Sequence, residues 1–225
     1  MQEGASVFAY WDGDDHSPLG PFKTEWMAEF PQFRIFGNSE VSELMKRYFP
    51  SQLDLLNDLQ IPAAKADVAR LLLLFEIGGL YVDCHCGIRD AAEIRRSLAR
   101  RKPIFVDRMR TPPRPQEQRI LINGMIFCPA RSDLTLAICR QALINLAEQR
   151  ERERTRICPY DIWRLTGAGL LTPLVLKSGA EVAIIPEEDA PVVRNRHKGY
   201  SVKGQHWSER QKVERLFTIL PQPSS

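Results

Sequence analysis

A helix pattern that ends in paired glycines and passes directly into an alternating strand is the feature of this sequence that leaves the fewest folds open to it. Pro62 suits the first turn of a helix, where its missing N–H is not needed, and Gly78-Gly79 suit the end of one, where the backbone turns left-handed. Leu80-Tyr81-Val82-Asp83-Cys84-His85-Cys86 follows at once. Its period of two is expected to put Tyr81, Asp83 and His85 on one face and Val82, Cys84 and Cys86 on the other, so that one face carries chemistry and the other packs. The glycine break brings the strand back beside the helix.

The same alternation runs through the rest of the chain. Ala5 to Tyr10 reads as a buried strand that stops at the turn-forming Asp12-Gly13-Asp14-Asp15 and leaves Trp11 at its end. A helix over 22–30 and a strand over 33–36 come next. Val41, Leu44, Met45 and Tyr48 then repeat at i, i+3, i+4, i+7 behind a Ser39 cap, and Pro50 ends that helix. Further on come a polar helix from Asp90 to Arg100, a strand at Ile104 to Val106 and a Pro/Arg-rich loop from Asp107 to Arg119. A strand at Ile120 to Cys128, an amphipathic helix at Leu134 to Leu146 and a strand at Val182 to Ile185 complete the pattern. It implies an α/β domain with a mainly parallel central sheet flanked by helices, in which ligands gather beyond the carboxyl ends of the strands.

Composition narrows the function classes. With 44% hydrophobic and 26% charged residues and a net charge of +3, the 225 residues suit one soluble globular domain rather than a disordered or disulfide-stapled chain. The densest apolar run, Leu71 to Phe75, is flanked by Arg70 and Glu76 and is too short to span a bilayer. No secretory signal is visible in the first twenty residues, so the cytoplasm is the expected compartment. Cys84, Cys86, Cys128, Cys139 and Cys158 are odd in number and fit reduced thiols. Arg95, Arg96, Arg100, Arg101 and Lys102, followed by Arg108, Arg110, Arg114 and Arg119, have few acidic neighbours in sequence. They could meet phosphate or an anionic surface, whereas the Arg/Glu run from Arg150 to Arg156 reads as a solvated helix face. Nucleic acid is not an expected partner, because the basic loop has no interleaved aromatics and the overall charge is near balance.

Four polar residues concentrate the chemistry. Asp67 and Arg70 share a helix face, and Asp83 and His85 are expected to project together from the strand end. A carboxylate and an imidazole there can grip a divalent ion that also holds diphosphate oxygens. Cys84 and Cys86 are not expected to join them, since alternation sends the sulfurs to the other face. Trp26 and Trp163 read as core aromatics, and no pair of carboxylates stands out as a glycosidase acid and nucleophile, Asp107 and Asp161 being the nearest.

The ordered combination Asp67-x-x-Arg70, Gly78-Gly79, Tyr81, Asp83-x-His85 resembles the DXD-type sugar transferases that include capsular polysaccharide transferases, initiating mannosyltransferases and clostridial glucosylating toxins. Val7 to Trp11, Phe33 to Pro50, Ile122-Asn123-Gly124-Met125-Ile126, Thr166 to Thr172 and His206-Trp207 are similar to further pieces of that family in the same order. The resemblance implies a single GT-A (Rossmann-like) domain over residues 1–225, with a nucleotide-sugar-binding core in 1–130 and an acceptor side and donor-closing segment in 131–225. It implies a hexosyltransferase that uses a nucleotide-diphosphate sugar with retention, in bacterial surface polysaccharide or glycoconjugate synthesis. The acceptor is expected to be a saccharide or lipid-linked, met in the cytoplasm with peripheral contact at the inner membrane. By position, Trp11 would stack the donor base, Asp67 and Arg70 would hold ribose or sugar hydroxyls, and Tyr81 and Asn123 would also bind the donor. Asp83, Arg70 and Asp67 are the expected catalytic residues, chiefly through stabilisation of the leaving group by the metal and Arg70. Asp83 and His85 would hold a divalent metal, Mn²⁺ ahead of Mg²⁺, Trp207 would close over the diphosphate, and the 107–119 loop would meet the acceptor. Two positions depart from the family pattern: His85 stands where a second aspartate is usual, and Ala168 where proline is usual. The alternative reading is a non-catalytic nucleotide-sugar-binding module that lost its metal-dependent turnover.

Overall fold

The computed structural model describes residues 6–108, 118–197 and 206–218. Its first half contains β1 (Val7–Tyr10), α1 (Gly20–Glu29), β2 (Arg34–Phe36), α2 (Asn38–Tyr48), α3 (Leu53–Asn57), α4 (Pro62–Ile77), β3 (Gly79–Val82), β4 (Gly87–Ile88), α5 (Ala91–Ala99) and β5 (Ile104–Asp107). The second half adds β6 (Leu121–Cys128), α6 (Asp133–Glu153), α7 (Ile162–Leu165), α8 (Ala168–Lys177), β7 (Ala183–Pro186), β8 (Val192–Val193) and α9 (Trp207–Arg210).

Six strands form one sheet in the order β2-β1-β3-β6-β5-β7. β1 runs parallel to β2 and β3, and β5 runs parallel to β7, while β6 is antiparallel to both of its neighbours. The architecture is mixed α/β with a mainly parallel central sheet. The pleat divides its side chains between two layers. Phe8, Tyr10 and Tyr81 pack toward α2, α3, α4, α6 and α8, whereas Val7, Ala9, Leu80 and Val82 pack toward α1 and α5. No helix among the described residues is long and apolar enough to cross a membrane.

The junction between α4 and β3 fixes the site. α4 is buried from Asp67 through Phe75, which explains its unbroken leucine run. It ends where the Gly78 N–H donates to the Leu74 carbonyl at 2.9 Å, with Gly78 at φ 69° and Gly79 at φ 108°. Both glycines are required twice over. Their backbone is left-handed, and a Cβ would lie 2.3 Å from Ala130 N at Gly78 and 2.0 Å from Ser6 O at Gly79.

Several expectations are corrected. β3 stops at Val82, and Asp83 to Cys86 form a turn closed by the Cys86 N–H on the Asp83 carbonyl at 2.9 Å. Asp83 and His85 are therefore corners of a turn and not alternate residues of one strand. α2 starts at Asn38, ahead of Ser39, with Glu40 accepting the Gly37 N–H at 3.0 Å. α6 continues to Glu153, past the apolar period that ends near Leu146. The small antiparallel sheet of β4 and β8 has strands too short for any period to reveal. Trp26 is buried, but Trp163 is 36% exposed and is not a core residue. All five cysteines are free, with Cys84 and Cys86 buried.

The first arginine cluster also changes its meaning. Arg96 and Arg100 pair with Glu93 on their own helix, while the fold brings Glu29 to Arg95 and Glu181 to Lys102 from far away in sequence. These pairs offset part of the cluster's charge. Arg110 and Arg114, most of the 107–119 loop, and Ala5 lie outside the described residues.

Candidate active site

The edge of the sheet formed by the carboxyl ends of β1 and β3 collects the polar residues of the motif. β6 contributes to the same edge because it runs the other way, so that its early residues Asn123 and Gly124 stand beside the end of β3. The Asp83 N–H donates to the Gly124 carbonyl at 2.8 Å, which continues the β3–β6 ladder by one step. Asp83 remains on the face of Tyr81, whose hydroxyl donates to its Oδ1 at 2.8 Å.

Arg70 occupies the centre. Its Nη1 lies 3.1 Å from Asp67 Oδ1 and donates to the Asn123 carbonyl at 2.8 Å, while its Nη2 lies 3.2 Å from Asp83 Oδ1. Its Nε donates to the Ala66 carbonyl at 3.1 Å, and its guanidinium carbon lies 5.0 Å from the centre of the Tyr81 ring. Asp67 is equally engaged. Its Oδ1 accepts from Asn123 Nδ2 at 2.8 Å and its Oδ2 from the Thr166 hydroxyl at 2.7 Å. Asp67 and Arg70 are 4% and 5% exposed, so the pair is a buried bracket and not a surface helix pair. Thr166 joins it from the turn between α7 and α8, ninety-nine residues away.

Burial shapes the protonation of this network. It pushes the Asp67 carboxyl up to about 6, against the pull of Arg70 and its hydrogen-bond donors. It also raises the Tyr81 and Cys84 groups well above their ordinary values and lowers His85, which favours a neutral imidazole at pH 7. With both carboxylates ionised, the Asp67, Arg70 and Asp83 trio carries one net negative charge, a field that favours a cation at the sheet edge.

Asp83 Oδ2 lies against Gly124, where a Cβ would come within 2.5 Å of it. Among the described residues no three His, Cys, Asp or Glu side chains converge as a cage for a metal ion. Asp83 and a neutral His85 are two donors, a number that fits an ion sharing its coordination with a ligand's phosphates rather than one held by protein alone. On the far side of this turn, the His85 carbonyl accepts the His197 N–H at 3.1 Å. The His197 ring in turn meets Glu25 at 2.5 Å, and Glu25 also accepts from Arg196 and from the Ile88 N–H.

Trp11 stands at the end of β1, its N–H on the Phe36 carbonyl at 2.9 Å and its indole N–H on the Asp15 carbonyl at 3.1 Å. Asp12 beside it pairs with Lys65 of α4 at 3.6 Å, and Asn38 links the Asp12 carbonyl to the Tyr10 hydroxyl. Trp207 is half-buried in α9 and packs on the same core as Tyr160 and Leu165, and Gln211 accepts the Ile162 N–H at 3.1 Å, which holds α9 beside α7. The His206 ring accepts from the Ser208 N–H at 3.3 Å. Asp67, Arg70, Tyr81, Asp83 and Asn123 thus form one connected network. Trp11 flanks α4 through Asp12 and Lys65, and Trp207 flanks it through α7.

Sequence reasoning missed Asn38, Lys65 and Glu25. Glu25 leaves a trace, an acid between the buried Phe22 and Trp26 of α1, but nothing local ties Lys65 to Asp12.

No protein-family model and no curated protein matches this chain. Solved structures similar to it include the PaToxG glycosyltransferase, with a TM-score of 0.47 and 13% identity over 78% of this chain and 69% of that one. They also include the glycosyltransferase domain of the YGT toxin in its UDP-bound form, with a TM-score of 0.48 and 12% identity over 85% of this chain. The ligand-free form of that domain has a TM-score of 0.44 and 13% identity over 74% of this chain. This chain spans 60% and 55% of those two YGT structures.

Proposed function

We propose that this protein is a glycosyltransferase of the GT-A kind that moves a hexose from a nucleotide-diphosphate sugar to an acceptor hydroxyl, with retention, in surface polysaccharide or glycoconjugate synthesis. The observation that supports this reading is the buried Arg70 bridge between Asp67 and Asp83, placed with Asn123 at the carboxyl edge of the sheet, where α/β folds bind ligands. Retention rests on the motif resemblance, in which the departing diphosphate itself helps to deprotonate the acceptor on the same face.

The roles divide by exposure. Arg70 and Asp67 are consumed by protein partners, so they act as positioning residues that fix Asp83 and Asn123 and set the local field. Asp83 and His85 would hold a divalent ion, Mn²⁺ ahead of Mg²⁺, together with diphosphate oxygens. That ion would neutralise charge on the leaving nucleotide diphosphate. Trp11 and Trp207 would border the donor, and Tyr81 orients Asp83 through its hydroxyl.

Asp83 Oδ1 is already bonded to Arg70 and Tyr81, and an imidazole stands where the family places a carboxylate, which favours as second reading a module that binds nucleotide sugars without turnover. Calorimetric titration with a panel of nucleotide-diphosphate sugars, with and without Mn²⁺ and with assay of released nucleotide, separates the two. Metal-dependent binding with slow donor hydrolysis is the expected result. Binding without turnover would favour the module, and no binding of any donor would defeat both.

A further inference from the structure

We infer that Trp163 is the stacking platform of an acceptor subsite for a hexopyranose, an inference that rests on the donor site proposed above. Its indole is exposed yet fixed. The six-membered ring sits on Gly169 so closely that a Cβ there would come 2.5, 2.7 and 2.8 Å from Cε3, Cζ3 and Cδ2. Gly167, whose Cβ would stand 3.2 Å from Trp163 Cα, keeps the turn tight, and Asp161 caps α7 by accepting the Trp163 N–H at 3.0 Å. The ring is thus held by two glycines and a cap while over a third of the residue faces solvent.

Its place on the molecule is next to the network. Thr166, which donates to Asp67, follows Trp163 by three residues at the end of the same helix. The bond from Thr166 to Asp67 ties the short helix that carries the indole to the network around Arg70. Asp161 and Arg164, close to Trp163 in sequence, pair with each other at 3.6 Å and have side chains 45% and 77% exposed. A flat apolar surface edged by a carboxylate and a guanidinium matches a ligand with an apolar ring face and a hydroxyl rim, which is the chemistry of a pyranose. A protein partner docking by hydrophobic contact would be met by apolar neighbours instead.

The test uses full-length protein with ¹⁵N-labelled indoles, titrated with methyl glucoside, galactoside and mannoside, alone and with nucleotide-diphosphate sugar and Mn²⁺. The Trp163 resonance is assigned by its loss in Trp163→Phe. At least one glycoside should move that resonance saturably. Trp163→Ala should weaken glycoside binding by about tenfold or more, and Trp163→Phe by about threefold or less, both leaving donor affinity unchanged. A resonance that no glycoside moves, or unchanged glycoside affinity in Trp163→Ala, would overturn the subsite. So would loss of donor affinity in Trp163→Phe, since Trp163 would then only support Thr166 and Asp67. A wild-type protein that binds glycosides at Trp163 but no nucleotide sugar would instead defeat the transferase reading.

Discussion

Arg70 stands between two carboxylates that would repel each other across the end of β3, and each of its nitrogens is already used inside the protein. Removing it leaves Asp67 and Asp83 partly or wholly buried without their shared counterion. Arg70→Ala should therefore lower the unfolding free energy by about 3–5 kcal/mol, with a smaller loss in Arg70→Lys, which keeps the charge but not the planar fork. Urea denaturation measures both, and a loss below about 1 kcal/mol in the alanine variant would count against the bracket. Asp67 gives a second prediction through its protonation. An aspartate titrates near 3.9 in the unfolded chain, and burial pushes Asp67 up to about 6, so between these values the native state binds more protons than the unfolded one. Its contribution to stability is thus greatest at the acid side and declines as pH rises from about 4 to about 6. Asp67→Asn should flatten that slope in melts taken across this window, and an unchanged slope would remove the assignment.

At the scale of elements, glycines separate folding from function. Gly79 is left-handed with Ser6 O where a Cβ would go, so Gly79→Ala should destabilise the whole domain and drop its melting temperature. Gly124 has no such backbone demand, and its missing Cβ leaves space for the Asp83 side chain, whose Oδ2 and Cγ would lie 2.5 and 3.1 Å from it. Gly124→Ala should leave melting within a few degrees of wild type while weakening nucleotide-sugar binding in the presence of Mn²⁺ by about tenfold or more. Equal donor affinity in that variant would show that Asp83 Oδ2 has no part in binding. The same elements show what the sequence could disclose. α4, its glycine end and β3 were legible because a first-turn proline, paired glycines and a period of two are local signals. The reversed direction of β6 was not, although it is what brings Asn123 to the edge of Asp83. Nor was the Thr166–Asp67 bond, because it joins residues whose proximity depends on how α7 and α8 dock. The turn at Asp83 to Cys86 escaped for another reason. Its alternating residues satisfy a strand's period, and only the turn that the Cys86 N–H closes on the Asp83 carbonyl takes the chain out of the strand after Val82.

Across the whole molecule, the last described residues tie the two ends of the α-helical layer together. Gln60 and Thr218 donate to the Leu216 and Asp58 carbonyls at 2.9 and 2.8 Å, and Phe217 bridges to Leu59, all ahead of the first turn of α4. The anchor on the other side is Glu153 at the end of α6, which is 1% exposed and accepts from the Leu216 and Phe217 N–H groups and from Gln149. In sequence Glu153 belongs to an alternating Arg/Glu run that reads as a solvated face, and only the returning tail makes it interior. Glu153→Ala would strand two backbone donors, so it should lower stability by about 2–3 kcal/mol and open the tail first. Native-state hydrogen exchange should then show the Leu216 and Phe217 amides losing protection while those of β3 and β6 keep theirs, with Glu153→Gln restoring part of it. Unchanged exchange at Leu216 and Phe217 would mean that packing of Leu216 and Phe217 holds the tail without the carboxylate. The distinction bears on the site, because the same segment carries Trp207 beside α7. If the carboxylate is the anchor, releasing it should also loosen Trp207 and weaken donor binding, even though Glu153 touches none of the network around Arg70.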